Sequence, residues 1–161
     1  MNGFTRTGQV VSTEFEPVEA ALLTQLAGQV AGILTEQDTA PDAAVTRLLP
    51  DAYADDPEKA AEFRRFTAPD LTARKVQNAQ TVIADVAHAL VAETPTPVEL
   101  DPRSTQAWVR ALTDMRLVLA SRLGIVQDGD PGRADDEAFM LGDLYDWLGG
   151  VQECLVGALD D

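Results

Sequence analysis

The spacing of the apolar residues constrains the fold of this chain more than any other feature of its sequence. Four segments place an aliphatic or aromatic residue at every third or fourth position, which is the repeat of one helix face. These segments are residues 22–34, 71–90, 108–123 and 141–159. Connectors rich in Pro, Gly and Asp separate them. The pattern therefore predicts an all-α fold, a single-domain bundle of five or six helices.

Residues 1–15 do not follow this helical pattern, because their apolar residues alternate only weakly. The large apolar residues of this segment are Phe4, Val10, Val11 and Phe15. Gly8 lies between them and can form a turn. The segment predicts either a short N-terminal β-hairpin or an extended arm, with the helical bundle following over residues 16–159. We expect all 161 residues to form one domain, because a chain of this length buries enough surface to fold alone.

The charge balance disfavours several classes of partner. The chain has 12 Lys and Arg residues and 27 Asp and Glu residues, a formal net charge of -15. Such a field repels nucleic acids and anionic membranes unless positive residues are gathered locally. The N-terminus has no secretory signal pattern, and no apolar run approaches the roughly 20 residues of a membrane span. We therefore expect an acidic cytoplasmic protein that binds another protein and no membrane.

The sequence contains no recognisable catalytic or metal-binding pattern. His88 is the only histidine, so the chain lacks the two carboxylate-histidine pairs that a di-iron site needs. No Ser or Cys has a histidine available by sequence pattern for triad chemistry. The segment from Asp128 to Gly132 begins like a calcium loop, but Arg133 and Phe139 occupy the positions of the required Gly and Glu. We expect a non-enzymatic protein that needs no cofactor and no metal.

The single cysteine, Cys154, cannot form an intramolecular disulfide. Its place beside the apolar stripe of the last helix predicts a partly buried thiol. No basic residue adjoins it in sequence to activate the thiolate, so the pattern favours an inert cysteine. The sequence alone leaves its redox activity open.

Basic residues concentrate in the segment 57–81, which contains the run Phe63-Arg64-Arg65-Phe66. Residues three apart share a helix face, so we expect Phe63 and Phe66 to anchor one helix in the core. Arg65 then points away from the core, where it is available to a partner. In this interpretation Arg64 and Arg65 lie beside a structural phenylalanine anchor, and they do not form part of a nucleic-acid-binding motif.

The same segment allows a second interpretation. A helix ending near Thr67, a turn containing Pro69 and a following helix have the outline of a helix-turn-helix. The exposed face of that second helix carries Arg74, Gln77, Gln80 and Thr81. Arg and Gln are side chains that read base edges. This alternative predicts a DNA-binding regulator that acts as a homodimer. DNA is the less favoured partner, because the chain is acidic and polar helix faces are common.

Three stretches carry a resemblance to a known family. They are RLLPDAYADDPEKAAEFRRFT, WVRALTDMRLVLASRLGI and YDWLGGVQECLV. Together they resemble an uncharacterised actinobacterial family, a domain of unknown function often encoded beside the Clp-protease adaptor. The resemblance spans most of the chain from Glu16 onward, but Thr113 stands where the family usually has Asn. It implies a cytoplasmic helical protein linked to regulated proteolysis or stress regulation, and it supplies no catalytic residues.

Three charged residues within the matched stretches are candidates for a structural ion-pair network between helices. They are Arg64, Asp114 and Arg116. Arg116 borders the apolar stripe of its helix and needs a carboxylate partner if it is buried. The leading hypothesis is thus a non-enzymatic regulatory or adaptor-like protein that acts through protein-protein interaction. The contact residues expected from the basic segment are Arg65, Arg74, Gln77 and Thr81, for a protein partner or, in the alternative, for DNA.

Overall fold

The computed structural model describes residues 1–37, 39, 42–50, 55–125, 132 and 134–161. Over these residues the elements, in chain order, are β1 (Thr5–Thr7), β2 (Val10–Phe15), α1 (Pro17–Thr35), α2 (Val45–Leu48), α3 (Pro57–Phe66), α4 (Ala68–Asp85), α5 (Ala87–Leu90), β3 (Thr96–Leu100), α6 (Pro102–Leu123) and α7 (Asp136–Asp160). The prediction of a mostly helical protein is confirmed. The prediction of an all-α fold is wrong, because three strands form a sheet. The loop resembling a calcium site lies outside the described residues, except Gly132.

The three strands form one antiparallel sheet in the order β1-β2-β3. β1 and β2 form a hairpin whose turn contains Gly8 at a positive φ of 65°, a conformation that glycine adopts at little cost. Of the two alternatives for residues 1–15, the hairpin is therefore confirmed. β2 also pairs with β3, with Val11 opposite Leu100. Local periodicity could not indicate this pairing, because all of α1 to α5 separates the two strands.

Helix α6 is the central element of the fold, with α1, α4 and α7 packed against it. Trp108 on α6 is fully buried, and its ring stacks on Phe15 of β2 with 5.8 Å between the ring centroids. The buried apolar residues form one cluster that draws on the helices and on the sheet. The sequence of this helix predicts neighbours on more than one side, because Leu117 and Val118 lie off its main apolar stripe, and the packing confirms this.

Several helix ends follow their sequence signals. Asp56 caps α3 by accepting the Lys59 N–H at 3.2 Å, and Asp101 caps α6 by accepting the Ser104 N–H at 2.7 Å. Gly124 ends α6 in the left-handed conformation, with φ 74°. These Asp-Pro starts and the glycine stop were all predictable from local sequence.

Helix α1 contradicts the expectation that no apolar segment of the chain is long enough to span a membrane. Its 19 residues are long and apolar enough, by length and composition, to cross a membrane. The core helix of a globular protein can meet the same test, and here 39% of the most apolar 18-residue stretch of α1 is buried inside the fold. Leu23, Leu26, Val30 and Leu34 lie in the main hydrophobic cluster. The expectation that no segment reaches this length is therefore wrong, and packing accounts for the apolar face.

Candidate functional site

The junction between α3 and α4 consists of one residue, Thr67. Pro69 lies in the first turn of α4 instead of in a turn between the two helices. A helix-turn-helix places three or four residues between its helices. The predicted turn at Pro69 is therefore wrong, because proline is tolerated in the first turn of a helix, where its missing N–H has no intrahelical partner.

Helix α3 is only lightly packed. Ala60 is its one buried residue, Phe63 is half-buried, and 66% of Phe66 is exposed. The expectation that Phe63 and Phe66 anchor the helix together is thus wrong for Phe66. The physical reason is that, among the described elements, α4 is the main neighbour of α3.

We define the α3 surface as Lys59, Glu62, Phe63, Arg65, Phe66 and Thr67. Five of these residues, all but Arg65, line an open cavity of about 510 Å³. The guanidinium carbon of Arg65 lies 5.4 Å from the centroid of the Phe66 ring, which is cation–π geometry. The surface thus presents an aromatic ring, an aliphatic border and a cation together. Aromatic residues and arginine are enriched in protein-protein interfaces.

The other three predicted contact residues lie together on a different surface. Arg74, Gln77, Asn78 and Thr81 repeat at helical spacing along α4, and they line a cavity of about 300 Å³. The opposite wall consists of α6 and its N-cap, through Asp101, Arg103, Ser104, Gln106, Ala107 and Arg110. We call this cavity the α4–α6 groove. It brings Arg74, Gln77 and Thr81 together, whereas Arg65 belongs to the α3 surface.

Two polar cross-links join α4 to α6. The Lys75 ammonium donates to Asp114 Oδ1 at 2.7 Å, and the Trp108 indole N–H donates to Asp85 Oδ2 at 2.8 Å. Asp114 is 2% exposed, and its Oδ2 is buried with no hydrogen-bond partner among the described residues. Burial raises the pKa of Asp114 above its ordinary value of 3.8, and the hydrogen bond from Lys75 opposes this only in part.

The predicted network of Arg64, Asp114 and Arg116 is divided among three environments. Asp114 pairs with Lys75. Arg116 lies over the ring of Tyr145, with its guanidinium carbon 4.5 Å from the centroid. Arg64 lines a separate cavity of about 600 Å³ between α1 and α4. The structure does not bring the three residues together.

Helix α7 is joined to α6 by Gln152. Its side-chain amide donates to Thr113 Oγ1 at 2.6 Å and to the Val109 carbonyl at 3.2 Å, and its Oε1 accepts from Arg116 at 3.4 Å. Thr113, which departs from the family pattern, therefore has a structural contact. The α4–α6 groove, by contrast, is lined by residues of α4 and of α6 with its N-cap.

Sequence reasoning missed the α6 half of the groove. Arg103, Gln106, Ala107 and Arg110 have the same three- and four-residue spacing as the α4 residues, and that repeat was the available signal. It also missed Lys75 as the partner of Asp114. No local pattern links two residues on different helices, so this pair required the fold.

Cys154 is exposed on α7, contrary to the expectation of a partly buried thiol. Within the described ranges, no three His, Cys, Asp or Glu residues are grouped so that they could hold a metal ion. The predicted contact residues lie on two surfaces, the α3 surface and the α4–α6 groove.

Comparison with known proteins gives two kinds of match. A family model described as "Domain of unknown function (DUF2017)" matches residues 1–159. Proteins named "Oxidative stress regulator AosR" from Mycobacterium tuberculosis and Mycobacterium bovis are each 30% identical to this chain over an alignment that is 183 residues long, gaps included. Each match covers 94% of this chain and 83% of the relative. No solved structure matches the chain.

Proposed function

The chain belongs to the DUF2017 family, and we propose that it is a regulatory protein of the oxidative-stress response that acts by binding another protein. The names of the mycobacterial relatives support the regulatory, stress-related part of this proposal. The absence of a catalytic pattern in the sequence supports a non-enzymatic mechanism. A cytoplasmic location and a link to Clp proteolysis are further parts of the proposal, and the latter rests on the family resemblance alone.

The exposure of the Phe66 side chain is the observation that supports binding to a protein. A phenylalanine that is 66% exposed and stacked against an arginine keeps much apolar area in water. Covering that area stabilises a complex by about 25 cal/mol per Å², and aromatic residues with arginine are the usual energetic centres of interfaces. The α3 surface therefore has the composition of a partner-binding surface.

Transcriptional control through direct DNA contact receives less support. The one-residue junction at Thr67 removes the helix-turn-helix argument. Arg74, Gln77 and Thr81 line a groove shared with α6, so α4 does not present them as an isolated recognition helix. The net charge of -15 also repels DNA. We therefore restrict the proposal to a protein partner.

The single cysteine limits how this sequence could respond to an oxidant. With only Cys154 available, an intramolecular disulfide is excluded. Cys154 is exposed, so it is accessible for a mixed disulfide or for oxidation to a sulfenic acid. A regulator that senses oxidants through another protein would need neither step. Replacing Cys154 by Ser distinguishes these two routes.

The test compares two matched substitutions in a capture experiment. Phe66→Asp and Phe139→Asp place the same charge at phenylalanines of nearly equal exposure, 66% and 67%, on different helices. Each purified variant captures partners from nuclease-treated lysate of the source organism, with and without hydrogen peroxide. We expect a protein retained by the wild type and by Phe139→Asp, and lost with Phe66→Asp.

The captured partner is then purified, and its Kd for each variant is measured. Loss of a central aromatic contact costs about 1–3 kcal/mol, so Phe66→Asp should weaken binding by roughly five- to 150-fold. Equal capture by all variants would contradict the role of the α3 surface. A partner captured from a parallel untreated lysate, but not from the nuclease-treated lysate, would contradict the protein-binding proposal itself. A Clp component among the captured proteins would support the proteolysis link.

A further inference from the structure

We propose that the α4–α6 groove is a binding site for a small polyanion, a molecule that carries two or more phosphate or carboxylate groups. The groove holds three arginines, Arg74, Arg103 and Arg110, from two helices. Its place on α4 and α6 separates it from the α3 surface. The inference concerns a second site, and it stands independently of the protein partner proposed above.

The charge of the groove is opposite to that of the whole chain. All three arginines are exposed, and over the described ranges no carboxylate oxygen lies within 4.0 Å of any of them. Asp101 is the one acidic residue in the lining, and its Oδ1 accepts the Ser104 N–H. Although the chain has 27 acidic residues, the three guanidinium groups of this groove have no ion-pair partner among the residues that the structure describes. Such groups bind oxyanions in bidentate geometry.

Uncharged donors accompany the arginines. The side-chain amides of Gln77, Asn78 and Gln106 line the groove, and in the described part of the chain they have no hydrogen-bond partner. Each amide can donate two hydrogen bonds. Arginine forks with neighbouring amides form a donor set that matches several oxyanion groups at once. One monovalent anion would leave most of these donors without a partner.

The groove is held in shape before any ligand arrives. The Lys75–Asp114 ion pair and the Asp85–Trp108 hydrogen bond tie its two helices together. Ala79 on α4 and Ala107 on α6 are both buried. Because the two walls are fixed, a ligand need not order either helix, and little binding energy is lost to reorganisation.

The size of the groove favours a small molecule over a nucleic acid. Its volume of about 300 Å³ lies at the lower limit of small-molecule sites, which span roughly 300–1,000 Å³. A long polyanion would extend beyond the arginines and experience the repulsion of a chain whose formal net charge is -15. A compact anion interacts with the arginines alone, so repulsion from the rest of the chain affects it less.

The experiment is a calorimetric titration of the full chain at low ionic strength, with inorganic pyrophosphate in one arm and citrate in the other. Arg74→Gln and Arg110→Gln each remove one guanidinium from the groove. Arg47→Gln on α2 makes the same charge change outside the lining and is the matched control. We expect saturable one-to-one binding, weakened about tenfold or more by each groove variant and less than twofold by the control. Tighter binding of pyrophosphate or of citrate identifies phosphate or carboxylate as the preferred group.

A second measurement needs no variant. In an NMR titration of the wild type, the side-chain amide signals of Gln77, Asn78 and Gln106 should shift together with the calorimetric saturation. Absence of binding for both anions, equal weakening by Arg47→Gln, or binding of a short DNA duplex alone would overturn the proposal. Phe66→Asp should leave anion binding unchanged, so failure here and failure of the protein-partner proposal can be told apart.

Discussion

Helices α3 and α4 are consecutive, yet they contribute differently to the fold. Both begin with a proline in the first turn, and both carry apolar residues at helical spacing. α4 packs against α1 and α6 and buries Ala79 and Val82. α3 buries only Ala60 and leaves Phe66 in water. Helical periodicity therefore identifies the face that can be buried, and the presence of neighbouring elements decides whether it is.

The comparison separates stability from recognition. Substitutions in the contacts of α4 with α6 should destabilise the protein, whereas substitutions on α3 should leave it folded and change what it binds. Four predictions examine this division, beginning with the largest expected effect.

The largest effect should follow from removal of Lys75, the partner of the buried carboxylate of Asp114. Lys75→Met leaves a charge that is 2% exposed without its cation, which costs about 3–5 kcal/mol of unfolding free energy. Urea denaturation measures the loss. The double variant Lys75→Met, Asp114→Leu removes both charges and should recover most of it. A loss below about 1 kcal/mol in the single variant would show that the Lys75–Asp114 ion pair contributes little to holding α4 in place.

The second prediction concerns the hydrogen bond at the other end of α4. Asp85→Ala leaves the indole N–H of fully buried Trp108 without its acceptor, at a cost of about 1–3 kcal/mol. Asp143→Ala removes an exposed carboxylate from α7 and should change stability by less than about 0.5 kcal/mol. Equal melting temperatures for the two variants would contradict a structural role for Asp85.

The third prediction uses pH to compare Asp114 with Asp42, which lies outside the α4–α6 contact. Arg122 donates to both oxygens of Asp42 at 2.7 and 2.6 Å, and these bonds lower the pKa of Asp42 below its ordinary 3.8. The stability from Asp42 is therefore complete above pH 3.8 and is lost as the pH falls further. Burial raises the pKa of Asp114, so its destabilising charge disappears as the pH falls towards 3.8.

Urea titrations across the acid range should separate the two carboxylates. Asp42→Asn should flatten the loss of stability below pH 3.8, by about 1 kcal/mol or less because the pair is partly exposed. Asp114→Asn should instead act above pH 3.8. There the variant should gain less unfolding free energy on acidification than the wild type does, because it has no buried carboxylate to protonate. If both variants act on the same side of that pH, one of the two assignments is wrong.

The smallest effect on stability is expected on α3. Phe66→Ala should change the unfolding free energy by less than about 0.5 kcal/mol, because its ring is 66% exposed. Val82→Ala on α4 removes fewer atoms from a fully buried site and should still cost about 1.5–3 kcal/mol. Thermal unfolding of the two variants compares the helices directly. A larger loss for Phe66→Ala would place α3 within the cooperative core.

Local sequence signals predicted much of the fold. The caps at Asp56 and Asp101 and the stop at Gly124 depend on neighbours within one turn, so they were predictable. The central position of α6 followed from apolar residues on more than one of its faces. The pairing of β2 with β3 was not predictable, because its signal is spread over two short strands far apart in the chain.

The candidate sites were predictable only in part. Arg74, Gln77 and Thr81 share a helix face by spacing, and the structure places them in one groove. Their partners Arg103 and Arg110 have the same spacing, but only the packing of α4 on α6 brings the two rows together. Lys75 and Asp114 are 39 positions apart, so their ion pair could not be predicted from a local pattern. The exposure of Phe66 likewise depends on which neighbours α3 lacks.

The pairing of β2 with β3 has a consequence for how the chain reaches its folded state. With Val11 opposite Leu100, the sheet closes a loop that contains every helix from α1 to α5. Closing so long a loop early costs chain entropy before any contact compensates for it. The helices can pack through shorter loops, which bring the two strands close together. We therefore expect the pairing of β2 with β3 to form late in folding. Its contacts should then mainly slow unfolding and have little influence on the rate of folding.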